Sequence, residues 1–235
     1  MRVLGVIPAR GGSKGIPRKN IRKANGKPLI AYTLEASQQS TLLTDCVVSS
    51  DDQEIISVAR DFGGYAPFVR PAKLATDQAS SIDVVLHATK FMEQLRKGSY
   101  DVIVMLQVTA PLRTGQDIDQ AIEMLKTSST DSIVSVCRVD DPHPGKMLQI
   151  ENDRLKPLIP GWWKELSRRQ DLPPVYFLNG ALYCVKRDVL INQKSIWGNS
   201  TRPYVMPPER SVNIDSILDF YLFETLLKLD RSEQS

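Results

Sequence analysis

Short apolar runs alternate with helical patterns through the first 140 residues, and this alternation restricts the fold more than any other feature of the chain. Residues 3–7 form an apolar run bounded by Pro8 and glycines, the pattern of a strand buried on both faces, and similar runs recur at 46–49, 102–106 and 133–139. Helical patterns lie between them. Residues 28–39 open on Pro28, a residue suited to a first helical turn. Residues 52–62 put Ile55, Ile56, Val58, Ala59 and Phe62 on one apolar face. Residues 80–97 begin Ser-x-x-Asp, a capping-box variant, and then space Ile82, Val85, Leu86 and Met92 at helical intervals. Residues 117–126 supply Ile118, Ala121, Ile122 and Leu125. Strands alternating with helices imply βαβ crossovers, hence a three-layer, mostly parallel α/β sheet of Rossmann-like type.

The rhythm fails between residues 140 and 177, where Pro142, Pro144, Gly145, Pro157, Pro160, Gly161, Pro173 and Pro174 forbid long regular elements. Trp162 and Trp163 sit there beside Lys164, Arg168 and Arg169. A disordered linker seldom carries two tryptophans, so the segment reads as an excursion that packs against something, such as a second subunit. The sheet is expected to resume at 181–185 and 211–215, followed by an amphipathic helix over 216–229 that again opens Ser-x-x-Asp. Residues 1–230 thus read as one domain carrying a small dimerisation excursion, with 231–235 a frayed tail.

A net charge of +3 is too small to argue for nucleic acid or a membrane as partner. No basic stripe carries paired aromatics, which disfavours an RNA-binding module. Cys46, Cys137 and Cys184 are widely spaced within apolar runs, and read as buried free thiols in a reducing compartment. No apolar stretch approaches the length of an export signal or a membrane span, so the expectation is a cytoplasmic protein.

Local charge says more. Arg10, Lys14, Arg18 and Lys19 crowd one loop with Gly11, Gly12 and Gly15, directly after the first apolar run. Cations so close repel one another unless an anion lies among them. In a doubly wound sheet, ligands bind beyond the carboxyl ends of strands, where this loop falls. Its glycines let backbone N–H groups turn inward, and Arg10 and Lys19 can bring charge to phosphate oxygens. The segment is neither G-x-G-x-x-G nor G-x-x-x-x-G-K-[ST], so dinucleotide and P-loop readings lose support. A solvated basic turn is the bland alternative.

The stretch IPARGGSKGIPRKN resembles the signature of the CMP-sialic acid synthetases, nucleotidyltransferases that activate nonulosonic acids with CTP. The resemblance continues in colinear blocks: GKPLIAYTLEA, VVSSDDQEI, VRPAKLATDQASSIDVVLHA, LQVTAPLRT, RRQDLP followed by NGALY, and NIDSILDF. It implies the family's nucleotidyltransferase fold, a dimer, and the substrates CTP and a nonulosonic acid such as N-acetylneuraminate.

By the same resemblance, Arg10 and Lys19 hold the triphosphate within a loop that includes Gly12 and Ser13, and Asn20 lies near the ribose and α-phosphate. Displacement at the α-phosphorus builds charge on departing pyrophosphate, which fixed cations stabilise. Lys14 and Arg18 are open to either role, ligand contact or solvation. Arg70 and Ser81 match base-contacting positions, although Ser81 could equally share helix capping with Ser80. Gln107 matches a sugar-contacting glutamine, with a polar strand terminus satisfied by backbone as the alternative. Arg113 could be an ion-pair partner of an aspartate in the following helix.

Asp215 matches the magnesium-binding aspartate of the family's D-I-D motif, and Asn213 stands where the first aspartate would be. An amide oxygen can ligate Mg2+ but brings no charge. Catalytic roles therefore fall to Arg10, Lys19 and Asp215. Lys146, Arg169 and Tyr183 match sugar-contacting residues, some supplied across a dimer. Phe177 replaces an arginine of the sialic acid enzymes, so either the sugar is held differently or it is a different sugar. Ile196 and Trp197 fall near paired aromatics of the family, with core filling the alternative for Trp197. His87 and His143 are the only histidines, and neither is placed as a base. The rival readings are a CMP-legionaminate or CMP-pseudaminate synthetase, and a nucleotide- or sugar-binding regulator that has lost catalysis through Asn213.

Overall fold

The computed structural model describes residues 1–139, 141–161 and 172–233. A six-stranded sheet is built from β1 (Val3–Pro8), β4 (Asp45–Ser49), β5 (Val102–Met105), β6 (Ser132–Val139), β9 (Val175–Lys186) and β10 (Thr201–Met206). Two short antiparallel pairs lie outside it: β2 (Lys23–Ala24) with β3 (Lys27–Pro28), and β7 (Leu148–Glu151) with β8 (Arg154–Pro157). The helices are α1 (Leu29–Gln39), α2 (Gln53–Asp61), α3 (Ser81–Arg96), α4 (Gly115–Lys126), α5 (Arg187–Gln193) and α6 (Ile217–Glu233).

The strand order is β10-β6-β9-β5-β1-β4. β1 pairs in parallel with β4 and β5, and β10 pairs in parallel with β6. Only β9 runs antiparallel to its neighbours β5 and β6. Strict alternation along β1 and β5 separates two cores. Val3, Ile7, Val102 and Val104 face α1, α2, α4 and α6, where Leu29, Leu34, Ile55, Ile118, Ile122, Phe220 and Phe223 are buried. Leu4, Val6, Ile103 and Met105 face α3 and α5, which bury Val85, Met92, Val189 and Leu190. Each fully buried Leu or Ile contributes about 1.5–3 kcal/mol over its exposed state, and this sets the three-layer arrangement.

Local chemistry fixes the helix starts. Asp52 caps α2, accepting from the Glu54 and Ile55 N–H groups. Ser80 caps α3 through the Ile82 N–H. Thr114 and Asp117 form a reciprocal capping box, so α4 begins at Gly115, two residues before the sequence pattern does. Ahead of α6, the Asp219 carboxylate accepts from the Ser216 N–H and hydroxyl, as the Ser-x-x-Asp pattern predicts.

Several expectations are corrected. Residues 211–215 are not a strand; they run past the cleft, with the Ile214 N–H bonded to the Thr109 carbonyl at 2.7 Å. The last strand is β10, which carries Pro203 and sits on an edge, where a missing N–H is tolerated. The expected 181–185 run is the end of the 12-residue strand β9, which begins inside the supposed excursion. The prolines of that excursion also leave room for the β7–β8 hairpin, turned by Asn152 and Asp153 in positive φ. Trp162, Trp163, Lys164, Arg168 and Arg169 lie outside the described residues. The three cysteines are free, with Cys137 and Cys184 buried. Among the described residues no helix is long and apolar enough to cross a membrane.

Candidate functional site

The connection from β1 leads to β4 on one side, whereas β5 lies on the other, so the strand order reverses at β1. A cleft of about 450 Å3 opens there beyond the carboxyl ends of β1 and β5. Its walls include Arg10, Ser13, Lys14, Lys19, Asn20, Arg70, Thr76, Asp77, Ser81, Gln107, Thr109 and Asp215. Residues from four separate sequence blocks therefore meet in one space.

The loop after β1 folds so that its cations are sorted. Lys19 is mostly buried, with Nζ donating to the Ile214 carbonyl at 2.7 Å and to Asp215 Oδ1 at 3.1 Å. Asn20 is buried and donates from Nδ2 to the Arg10 carbonyl at 2.8 Å, closing the loop on itself. Gly15 lies so near the 215 backbone that an added Cβ would stand 2.3 Å from the Asp215 carbonyl oxygen, so glycine is required there. Gly12 has open space around it and does not line the cleft. Arg10 Nη1 donates to the Thr76 carbonyl at 3.3 Å and lies 3.0 Å from Asp77 Oδ1, while Lys14 Nζ is 2.7 Å from Asp77 Oδ2. Lys14 first and then Arg10 hold the exposed Asp77 carboxyl below its ordinary value. Arg18 is turned away: it forks onto Asp52 and also meets Glu54. Of the two cations left open by sequence, Lys14 lines the cleft and Arg18 is a structural tie to the start of α2.

The opposite wall carries Arg70, buried, with Nε on the Ser49 hydroxyl at 3.1 Å and Nη2 on the Ser49 carbonyl. Burial pushes its guanidinium down to about 10; Asp51 opposes that shift and Arg10 adds to it. Ser80, not Ser81, caps α3, which leaves the Ser81 hydroxyl for the cleft. Gln107 lines the cleft, and its Oε1 lies 2.6 Å from where a Cβ on Gly180, at φ +72°, would be.

Asn213 lies behind Asp215. Its Nδ2 donates to Asp215 Oδ2 at 3.0 Å, and its Oδ1 is buried with no hydrogen-bond partner. The Asp215 side chain is 70% exposed. Among the described residues no group of three or more His, Cys, Asp or Glu side chains is arranged to hold a metal.

Other candidates fall elsewhere. Lys146 is exposed on a 3-10 turn and does not line the cleft. Tyr183 is buried in the second core, its ring edge-on to Trp197 at 6.4 Å. Trp197 is 40% exposed and therefore not simple core filler, whereas Ile196 is buried. Phe177 is half-exposed on β9. Arg169 lies outside the described residues. Arg113 does not pair with an aspartate of α4; Asp117 instead meets Arg210 and the Tyr204 hydroxyl. His143 bonds the Pro173 carbonyl and the Gly145 N–H, and His87 packs edge-on to Phe68, so neither reaches the cleft. Sequence reasoning missed Asp77, although it sits within the block LATDQASS, and missed the reach of Arg113.

Residues 4–198 match the family profile described as Cytidylyltransferase. The chain is 34% identical over 233 residues to a CMP-N,N'-diacetyllegionaminic acid synthase of Legionella pneumophila, covering 98% of both chains. It is 35% identical over 230 residues to a pseudaminic acid cytidylyltransferase of Campylobacter jejuni, again covering 98% of both. Among solved structures it is similar to a CMP:2-keto-3-deoxy-manno-octonic acid synthetase complexed with CTP, with a TM-score of 0.70. That match has 19% identity over 98% of this chain and 100% of the other.

Proposed function

The chain belongs to the cytidylyltransferase family, and from that premise we propose that it activates a nonulosonic acid with CTP, giving the CMP-sugar and pyrophosphate. The observation that carries this reading is the meeting of Arg10, Lys19, Asn20, Arg70, Ser81, Gln107 and Asp215 in one cleft at the strand-order reversal. Arg10, Lys14 and Lys19 take the triphosphate, displacing the Asp77 carboxylate that Arg10 and Lys14 otherwise hold. Arg70 and Ser81 face the cytosine, and Gln107 orients the acid.

The anomeric hydroxyl oxygen of the acid attacks the α-phosphorus. A new O–P bond forms, the bond from the α-phosphorus to the oxygen it shares with the β-phosphorus breaks with its electron pair leaving on pyrophosphate, and the hydroxyl proton passes to solvent. Fixed cations stabilise the charge that grows on pyrophosphate and hold the reactants in line. A magnesium ion fits the donors at the cleft edge: Asp215 offers an exposed carboxylate and Asn213 a buried amide oxygen without a donor. When bound, Mg2+ would screen phosphate charge; such ions commonly take only one or two protein ligands besides phosphates.

The acid is N-acetylneuraminate or a relative of it. Phe177 favours the second reading, an acid of legionaminic or pseudaminic type, as do the names of the two relatives. The protein acts as a cytoplasmic homodimer. Leu148, Ile150, Leu155 and Pro157 share one face of the β7–β8 hairpin, where Ile150 is 77% and Leu155 67% exposed. An isolated two-stranded hairpin is marginal in water and needs cover, which a second copy would supply.

Incubation with CTP, Mg2+ and a panel of nonulosonic acids, scored by pyrophosphate release, tests the activity. Release with at least one acid is expected. Retained CTP binding without release for any acid would instead support a regulatory binding protein.

A further inference from the structure

Arg113 is buried in the wall behind Gln107, and among the described residues no carboxylate lies within ion-pair distance of it. Its fork makes several neutral contacts instead. Nε donates to the Ala181 carbonyl at 2.7 Å, Nη1 and Nη2 to the Thr33 hydroxyl at 3.2 and 3.4 Å, and Nη2 also to the Gln107 carbonyl. Two of these acceptors are related by the sheet. The β5–β9 ladder runs from Val102 opposite Lys186 to Met105 opposite Tyr183. Continued in the same register, it would set Gln107 opposite Ala181. The ladder stops short of that pair, and the guanidinium bonds both carbonyls. The Gln107 side chain, which lines the cleft, packs against Gly180, the residue before Ala181.

We propose that Arg113 is a positioning residue for the second substrate: its guanidinium stitches the parted ends of β5 and β9, and so sets the Gln107 amide against Gly180. The proposal rests on the reading of Gln107 as the residue that orients the sugar acid. A planar fork suits the task, since a lysine ammonium cannot span the same acceptors. Burial pushes the Arg113 guanidinium down to about 9, with Cys46 and Asp117 opposing the shift, and it is still protonated at neutral pH. Arg113 also lines a second cleft of about 620 Å3, beside Tyr32, Leu112, Leu226 and Leu227. A small cation can therefore reach its place from outside the catalytic cleft.

The test compares Arg113→Lys and Arg113→Ala with the wild type, by calorimetric CTP binding and by steady-state kinetics with the preferred acid. The KM for the acid should rise at least about tenfold in both variants, while CTP affinity changes by less than about twofold. Added methylguanidinium should lower the raised KM of Arg113→Ala. An unchanged KM, or equal losses for CTP and acid with no rescue, would overturn the proposal. Should Arg113→Ala fail to fold, Arg113→Lys, which keeps charge and length, carries the kinetic test. Wild-type protein that turns over no acid would defeat the functional reading instead. The positioning claim would then be decided by the Gln107 side-chain amide resonances in the Arg113→Lys protein: a shift upholds it, and unchanged signals refute it.

Discussion

Lys19 Nζ stands 3.1 Å from Asp215 Oδ1, joining two residues 196 positions apart in the chain. The same ammonium is fixed by the Ile214 carbonyl at 2.7 Å, so its charge is already oriented at the cleft edge. Preorganised charge of this kind is worth more than mobile charge, because no reorganisation is needed as the transition state forms. Lys19→Ala should lower the rate of pyrophosphate release by about 100-fold or more. Far-UV circular dichroism should remain that of the wild type.

Asp77 holds Arg10 and Lys14 with one carboxylate. A triphosphate must compete with it for those cations. Asp77→Asn removes the competing charge and should tighten CTP binding by about two- to fivefold, the range for exposed ion pairs. Calorimetry at low ionic strength gives the clearest reading, because salt screens the effect.

Gly15→Ala would place a methyl group 2.3 Å from the Asp215 carbonyl oxygen. Backbone cannot yield as a flexible side chain can, so the loop must lift. Overpacking of this kind costs about 1–3 kcal/mol. A lower urea midpoint and weaker CTP binding are expected together, because the same movement separates Lys19 from Asp215.

Asp117 is buried, and burial alone would raise its pKa. The Thr114 N–H, the Tyr204 and Thr114 hydroxyls and Arg210 outweigh that and hold the carboxyl below its ordinary value. A depressed carboxylate pKa adds stability above the unfolded value, and that stability is lost as pH falls through the folded one. Asp117→Asn should cost about 1.5–3 kcal/mol at neutral pH, the range for hydrogen bonds to a charged group, since the Arg210 left behind is partly exposed. The variant's loss of stability from about pH 5 downward should be shallower than the wild type's. Urea titrations across that range check both statements.

Much of the fold was legible because period and burial coincide. The apolar runs at 3–7, 46–49, 102–106 and 133–139 lie within a residue of the strands that begin at Val3, Asp45, Val102 and Ser132. β10 escaped notice because an edge strand can hold Pro203 and leave Val205 in solvent, which blurs the pattern. The 211–215 stretch misled because Val212 and Ile214 alternate like a strand, whereas Ile214 is buried by a loop contact to Thr109. At the site, motif blocks brought Arg10, Lys19, Arg70, Gln107 and Asp215 together in advance. The sorting of Lys14 from Arg18, and the grip of Arg113 on Gln107 and Ala181, depend on contacts between distant segments that no local pattern encodes.

Diffraction from crystals grown with CTP and Mg2+ tests the central claim most directly. The account predicts triphosphate density between Arg10 and Lys19, with the metal at Asp215 and cytosine beside Arg70 and Ser81. A triphosphate bound away from Arg10, Lys19 and Asp215 would contradict it.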